Sequence, residues 1–138
     1  VCFTVKVTAF LQYNHIYLGG IMNDEKRDAL YREYQNRLRN IEEEKEEYQR
    51  NKRELEEEKE EFTQIYAEGQ EDLRIYTADW GECKSLGRLR QMFGDFFDEY
   101  KKNLARKEED LESKYRALRL KEQDIEEDYT KAIKEEDE

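Results

Sequence analysis

This sequence contains no proline, and it has only two cysteines, one histidine and six glycines among its 138 residues. Because proline breaks helices and glycine weakens them, their scarcity favours long, uninterrupted helices. Cys2 and Cys83 lack the spacing of a metal site or a disulfide framework, so we predict neither metal nor cofactor and a reducing compartment, the cytoplasm. His15 is the lone imidazole, and the glutamate runs are typical of solvated helix faces. We therefore expect no enzyme.

Long apolar runs are also missing. None approaches the roughly 20 residues that a membrane-spanning helix requires, so we expect no membrane insertion. Charged residues make up 44% of the chain and hydrophobic ones 36%, and the formal net charge is -11. Because this charge repels phosphate backbones, and because no basic face is free of interleaved carboxylates, we expect no nucleic acid partner. The composition instead indicates one elongated helical domain.

Residues 1–21 differ from everything that follows, since they carry one lysine, no acid and alternating β-branched and aromatic residues. The segment lacks the basic region, compact apolar core and cleavage site of a secretory signal. Leu-Gly-Gly-Ile-Met, which ends at Met22, can be encoded by a stretch with AGGAGG just before ATG, the arrangement of a bacterial ribosome-binding site. We hypothesise that Met22 is the true start. The alternative is a genuine disordered or strand-like arm.

Apolar and aromatic residues recur every seven positions after Met22, which is typical of a coiled-coil seam. These spacings predict one helix over about 23–76, a turn over about 77–85 in which Ser85 caps the next helix, and a second helix over about 86–134. The predicted fold is all-α, a long antiparallel two-helix hairpin over 22–138. The stripes are Tyr31, Leu38, Lys45, Lys52, Lys59, Tyr66 and Leu73; Tyr34, Ile41, Tyr48, Leu55, Phe62, Gly69 and Tyr76; and Phe97, Leu104, Leu111, Leu118, Ile125 and Ala132.

A reversal of the chain near Trp80 and Gly81 makes the numbers of facing residues sum to about 163. This condition brings apolar residues together near both ends of the hairpin. In the middle it pairs an apolar residue with a charge, as with Lys59 and Leu104. We expect this middle to be marginally stable alone, so self-association remains an alternative. The predicted aromatic pairs are Tyr34 with Tyr129, Tyr48 with Tyr115, and Tyr66 with Phe97.

A further apolar stripe lies near the turn, about a quarter-turn of helix away from the seam residues Phe97 and Leu104. One partner helix cannot cover both stripes. Either the stripe packs on Ile65, Ile75 and Trp80 within the hairpin, or it is exposed and docks another protein. The stripe consists of Leu86, Leu89, Phe93, Phe96 and Tyr100. Our predicted partner-binding residues are Ile65, Trp80, Leu89, Phe93, Phe96 and Tyr100.

Trp80-Gly81 at the predicted turn is similar to the W-x-G turn of small proteins of type VII (ESX) secretion, although the intervening residue is absent. The chain from Met22 onward resembles the small helical targeting partners encoded beside LXG-toxin genes in Firmicutes. The resemblance is one of layout: a charged helix with RNIEEEKEEYQRNKRELEEEKEEF, a Trp-bearing turn, an FFDEY segment and a closing LESKYRALRLKEQDIEEDY.

The resemblance implies a W-x-G-like helical hairpin that binds the N-terminal helical domain of an LXG toxin, together with a second small helical protein. It also implies that the chain acts as a targeting factor or chaperone in the cytoplasm and either stays there or leaves with its cargo. The export signal of such proteins, Tyr or Phe followed four positions later by an acid, is not matched, because Ile133 follows Tyr129. The alternative function is a structural coiled-coil protein, a stalk or spacer of a secretion apparatus.

Overall fold

The computed structural model describes residues 24–137, which form two helices, α1 (Asp24–Trp80) and α2 (Lys84–Asp137). The helices pack against each other and run antiparallel, so the predicted all-α helical hairpin is the observed fold. Residues 1–21, which would precede the true start if translation begins at Met22, lie outside the described residues, as does Met22 itself.

Gly81 ends α1. Its φ of 71° lies in the left-handed region that glycine adopts without strain, and its N–H donates to the Thr77 carbonyl at 3.0 Å. This is the usual glycine C-cap of a helix. The helix consequently runs four residues beyond the predicted end at 76 and includes Trp80.

The second helix begins earlier than its sequence indicates. The carbonyl of Cys83 accepts the N–H of Gly87 at 3.0 Å, so Cys83 holds the N-cap position and Lys84 is the first helical residue. The prediction that Ser85 caps α2 is therefore wrong, because Ser85 already lies inside the first turn.

The hairpin divides into two compact units, and unit 1 combines α1 up to Glu42 with α2 from Leu120 onward. Ile41 and Ile125 are buried in unit 1. Tyr34 stacks on Tyr129 with ring centroids 4.4 Å apart, as the predicted register requires.

Unit 2 comprises residues 43–119 and includes the turn. Two more predicted pairs meet here, since Tyr48 stacks on Tyr115 at 4.6 Å and Tyr66 meets the edge of Phe97 at 5.2 Å. The predicted register is thus confirmed within each unit. The buried side chains of unit 2 are Tyr48, Leu55, Leu73, Leu86, Phe97, Leu104 and Leu118.

Lysine side chains in the middle of the seam keep their charged ends at the surface of the hairpin. The Lys59 ammonium reaches Glu108 at 2.8 Å while its side chain is half-buried, and Leu55 and Leu104 stay buried at 5% exposure each. The aliphatic stem of a lysine can cover apolar neighbours while its ammonium remains in water. A lysine in the seam is therefore compatible with a buried leucine layer.

Gly69 provides the space for an aromatic ring of the opposite helix. A Cβ at this position would overlap the ring of Phe93, which stacks on Tyr66 at 5.7 Å and touches Phe97 at 4.4 Å. Because these neighbours restrict the movement of the ring, we expect Gly69→Ala to destabilise the protein by about 1 kcal/mol, even after the gain in helix propensity. Urea unfolding followed by circular dichroism measures this change.

Gly94→Ala is the matched control, since an added Cβ there meets no atom within 4 Å. Its helix propensity gain of about 1 kcal/mol should appear as increased stability. If both variants are stabilised to the same extent, then Gly69 is not required by the packing of Phe93.

A candidate partner-binding face near the turn

Unit 2 carries several large apolar side chains that remain exposed. On α1, Ile65 and Tyr76 are 11 residues apart, which places them on one side of the helix. On α2, Leu89, Met92 and Phe96 follow each other at spacings of three and four and likewise share one side. Their exposures run from 39% for Tyr76 to 69% for Met92. We call these five residues the apolar face.

Glu58 shows that the two halves of the apolar face lie on the same side of the hairpin. Its carboxylate accepts the hydroxyl of Tyr100 at 2.8 Å and the ammonium of Lys107 at 2.7 Å. Glu58 precedes Ile65 by seven residues and Tyr100 follows Phe96 by four, so each belongs to the stripe of its own helix. A contact between these stripes places both on one side of unit 2.

The same contacts lower the pKa of Glu58, first through the hydrogen bond from Lys107 and then through that from Tyr100. A carboxylate whose pKa is lowered by folding stabilises the folded state above its ordinary pKa, and this stabilisation is lost as the pH falls through the lowered pKa. We expect Glu58→Gln to reduce stability at pH 7 by less than about 1 kcal/mol, because the group is partly exposed, and to reduce it by less at pH 3 than at pH 7.

Denaturant unfolding at both pH values tests this expectation, with Glu61→Gln as the control. Glu61 lies one turn away on the same stripe and forms no hydrogen bond or ion pair within the described residues. A pH-independent loss in the Glu58 variant would show that its carboxylate is not ionically stabilised.

Four of the six predicted partner-binding residues are exposed, as a docking role requires. The exposures of Ile65, Trp80, Leu89 and Phe96 are 56%, 73%, 47% and 60%. Trp80 lies at the end of α1, where it stacks on Tyr76 at 5.2 Å and extends the apolar face towards the turn.

The other two predicted residues, Phe93 and Tyr100, are half-buried. Phe93 sits against Gly69, while Tyr100 stacks on Phe62 at 5.2 Å. These rings support the hairpin from within, so the turn-proximal stripe is split between packing and exposure. Part of the stripe is packed within the hairpin and part is exposed, and docking of another protein on the exposed part stays a prediction.

Met92 and Tyr76 belong to the apolar face but are absent from our sequence-based set. Met92 is the most exposed of the five, and its spacing of three from Leu89 and four from Phe96 is the signal that identifies it. Tyr76 was assigned to the seam by its seven-residue repeat, whereas the structure leaves it 39% exposed.

Acidic residues border the apolar face on α1. Glu61 lies four residues before Ile65, Glu68 lies three after it and Asp72 lies seven after it, and all three are exposed. Glu68 accepts a hydrogen bond from Gln64 at 3.0 Å, and within the described residues none of the three carboxylates forms an ion pair. This border is negatively charged and uncompensated.

A shallow open groove lies on the same side of unit 2, farther from the turn. Its floor contains the buried Leu55 and the half-buried Leu111, and its walls are charged. Glu58 and Lys107 belong both to this groove and to the edge of the apolar face. The lining residues are Asn51, Glu54, Leu55, Glu58, Lys107, Asp110, Leu111 and Lys114.

Across residues 24–137, the structure contains no group of three or more His, Cys, Asp or Glu side chains placed to hold a metal ion. Neither described helix is both long and apolar enough to cross a membrane. No family model matches this chain, and no curated protein or solved structure matches it.

Proposed function

We propose that this chain is a binding module that docks a helical segment of another protein on the apolar face. The observation that carries the proposal is the exposure of Ile65, Leu89, Met92 and Phe96 on one side of a hairpin whose buried core does not include them. Large contiguous apolar patches on a protein surface commonly mark interaction sites. An elongated face formed by two antiparallel helices suits a third helix, which can pack its own apolar stripe along both.

The partner we propose is the N-terminal helical domain of an LXG-type toxin, with this chain acting as its targeting factor or chaperone for type VII secretion. The layout resemblance supports this identification, since this chain and the targeting partners of LXG toxins are both small charged hairpins with a Trp-bearing turn. A second small helical protein would complete the complex, and its formation in the cytoplasm would precede any delivery of the cargo.

The alternative, a structural stalk or spacer, would assemble through the seven-residue seam. The seam residues Ile41, Leu55 and Leu104 are buried within the hairpin. Because these side chains are already packed inside the hairpin, they are not free for further assembly, which favours a module that binds through a different face.

We expect Phe96→Asp to abolish binding of the N-terminal helical domain of an LXG-type toxin while leaving the helix content unchanged. Phe96 is 60% exposed, so the hairpin loses little packing, whereas a carboxylate in the interface costs about 2 kcal/mol or more, roughly a thirtyfold loss of affinity. Titration calorimetry with the purified domain gives the affinity, and far-ultraviolet circular dichroism reports the fold.

Glu60→Lys is the control, because Glu60 is exposed and lies about 140° around α1 from Ile65. It should change the affinity by less than about 0.5 kcal/mol. Retained binding by a folded Phe96→Asp protein would remove the apolar face from the interface. Absence of binding by the wild-type chain would reject the LXG domain as its partner.

A further inference from the structure

The charges around the apolar face restrict what can dock on it. Glu61, Glu68 and Asp72 line the α1 side, and no cation among the described residues pairs with them. On the α2 side the border is mixed, since Arg88 lies four residues before Met92 and Asp95 lies three after it, and both are exposed. Lys107, at the far edge, is already paired with the Glu58 carboxylate at 2.7 Å. The border of the face is therefore acidic along α1 and of mixed charge along α2.

We infer that the occupant of the apolar face is an amphipathic helix whose apolar stripe is bordered on one side by lysine or arginine. Its stripe would cover Ile65, Met92 and Phe96, and its cations would meet the three carboxylates on α1. Charge complementarity of this kind selects partners and raises their rate of association. This inference rests on the proposed function and adds the chemistry of the partner to it.

A second copy of this chain is a poorer occupant. The formal net charge is -11, and Arg88 on the α2 border has Asp95 on the same side of the helix, so little positive charge is available to receive the carboxylates of another copy. In a contact between α1 and α1 of the other copy, Glu61, Glu68 and Asp72 would lie near the same residues, where like charges repel.

The extent of the face sets the size of the partner helix. Ile65 and Tyr76 are 11 residues apart, which corresponds to roughly 16 Å along α1 at 1.5 Å per residue. A partner helix of about four turns spans this distance. Because isolated helices of this length are marginally stable in water, a probe of about 18 residues needs a covalent staple on its outer side.

The test compares two stapled peptides with the same leucine stripe at three- and four-residue spacing. One carries lysines along one border of the stripe and the other carries glutamates at the same positions. Fluorescence anisotropy with the full chain should show the lysine peptide binding at least about tenfold more tightly at low salt. A lysine peptide of scrambled sequence, which has no stripe, measures the non-specific attraction to an acidic protein and should bind at least tenfold more weakly.

Neutralising the border tests the same contact from the protein side. The triple variant Glu61→Gln, Glu68→Gln, Asp72→Asn should weaken binding of the lysine peptide about tenfold, and the difference should disappear at roughly 1 M salt. The matched control, Glu60→Gln, Glu109→Gln, Asp98→Asn, removes the same total charge from exposed positions on other sides of the helices. Its affinity should remain within about twofold of the wild-type value.

Each outcome bears on one of the two proposals. If the two striped peptides bind equally well and Phe96→Asp abolishes the binding of each, the basic border inferred for the partner helix is overturned and the docking face stands. Failure of the lysine peptide to bind, or binding unchanged in Phe96→Asp, would overturn both. A homodimer in sedimentation equilibrium that Phe96→Asp dissociates would identify a second copy of the chain as the occupant and likewise overturn the basic helix.

Discussion

Phe97→Ala is expected to destabilise this protein by about 3–5 kcal/mol, because it empties the centre of the aromatic cluster in unit 2. Phe97 is 6% exposed and contacts Phe62, Tyr66, Phe93 and Phe96 with ring centroids between 4.4 and 5.3 Å apart. Urea unfolding followed by far-ultraviolet circular dichroism measures the loss. This loss is a large fraction of the free energy of unfolding of a small domain, so we also expect the variant to be partly unfolded at 37 °C.

The neighbouring residue provides the control for this prediction. Phe96 has the same side chain but is 60% exposed, so Phe96→Ala should cost less than about 1 kcal/mol. The contrast separates a ring that maintains the hairpin from a ring available to a partner. Comparable losses in the two variants would mean that Phe96 belongs to the hairpin core, and the docking proposal would lose its main residue.

Ile41→Asp is expected to cost about 4 kcal/mol or more at neutral pH, and it tests the packing of unit 1. Ile41 is the most buried residue of the core at 3% exposure, and a carboxylate there loses both the apolar contacts and its own hydration. Burial would raise the pKa of the introduced carboxyl above its unfolded value. The penalty should therefore shrink as the pH falls towards 4, because the carboxyl is then protonated in the folded state and about half protonated in the unfolded state.

Asn40→Asp adds the same charge at the adjacent, exposed position and should change stability by less than about 0.5 kcal/mol. The comparison is made by thermal unfolding of both variants at pH 7 and pH 4. A similar small effect for both would indicate that the helices are not packed at Ile41.

The register of the hairpin could be predicted from the sequence because its aromatic residues recur at intervals that only one reversal point can satisfy. Tyr34, Tyr48 and Tyr66 each find an aromatic ring at the position that the sum of 163 assigns. A shift of the turn by one residue would have broken all three pairs. The same sum places Gly69 opposite Gly94, and in the structure Phe93, the residue before Gly94, fills the space beside Gly69.

The division of the turn-proximal stripe could not be predicted in the same way. Leu86, Leu89, Phe93, Phe96 and Tyr100 all have helical spacing, and spacing alone does not fix how far α2 rotates about its axis towards α1. That rotation decides which aromatic residues are buried. It places Phe93 and Tyr100 partly inside and leaves Phe96 outside.

The end of α1 was misplaced for a local reason. Thr77 and Asp79 are weak helix formers that suggest a loop, yet Gly81 with its positive φ provides a better C-cap than any residue before it. Arg90 also donates to Thr77 at 2.9 Å and to Glu82 at 3.1 Å, which fixes the last turn of α1 against the start of α2. These contacts between helices are not visible in the propensities of residues 77–79.

The most direct measurement of the docking proposal uses an environment-sensitive fluorophore on a single cysteine at Met92→Cys or at Leu120→Cys, after both native cysteines are replaced by serine. These two side chains are similarly exposed, at 69% and 62%, but Met92 lies on the apolar face and Leu120 lies in unit 1. On addition of the LXG domain or the lysine-bordered peptide, we predict a blue shift for the fluorophore at 92 and no change at 120. A shift at 120 without one at 92 would contradict docking on the apolar face.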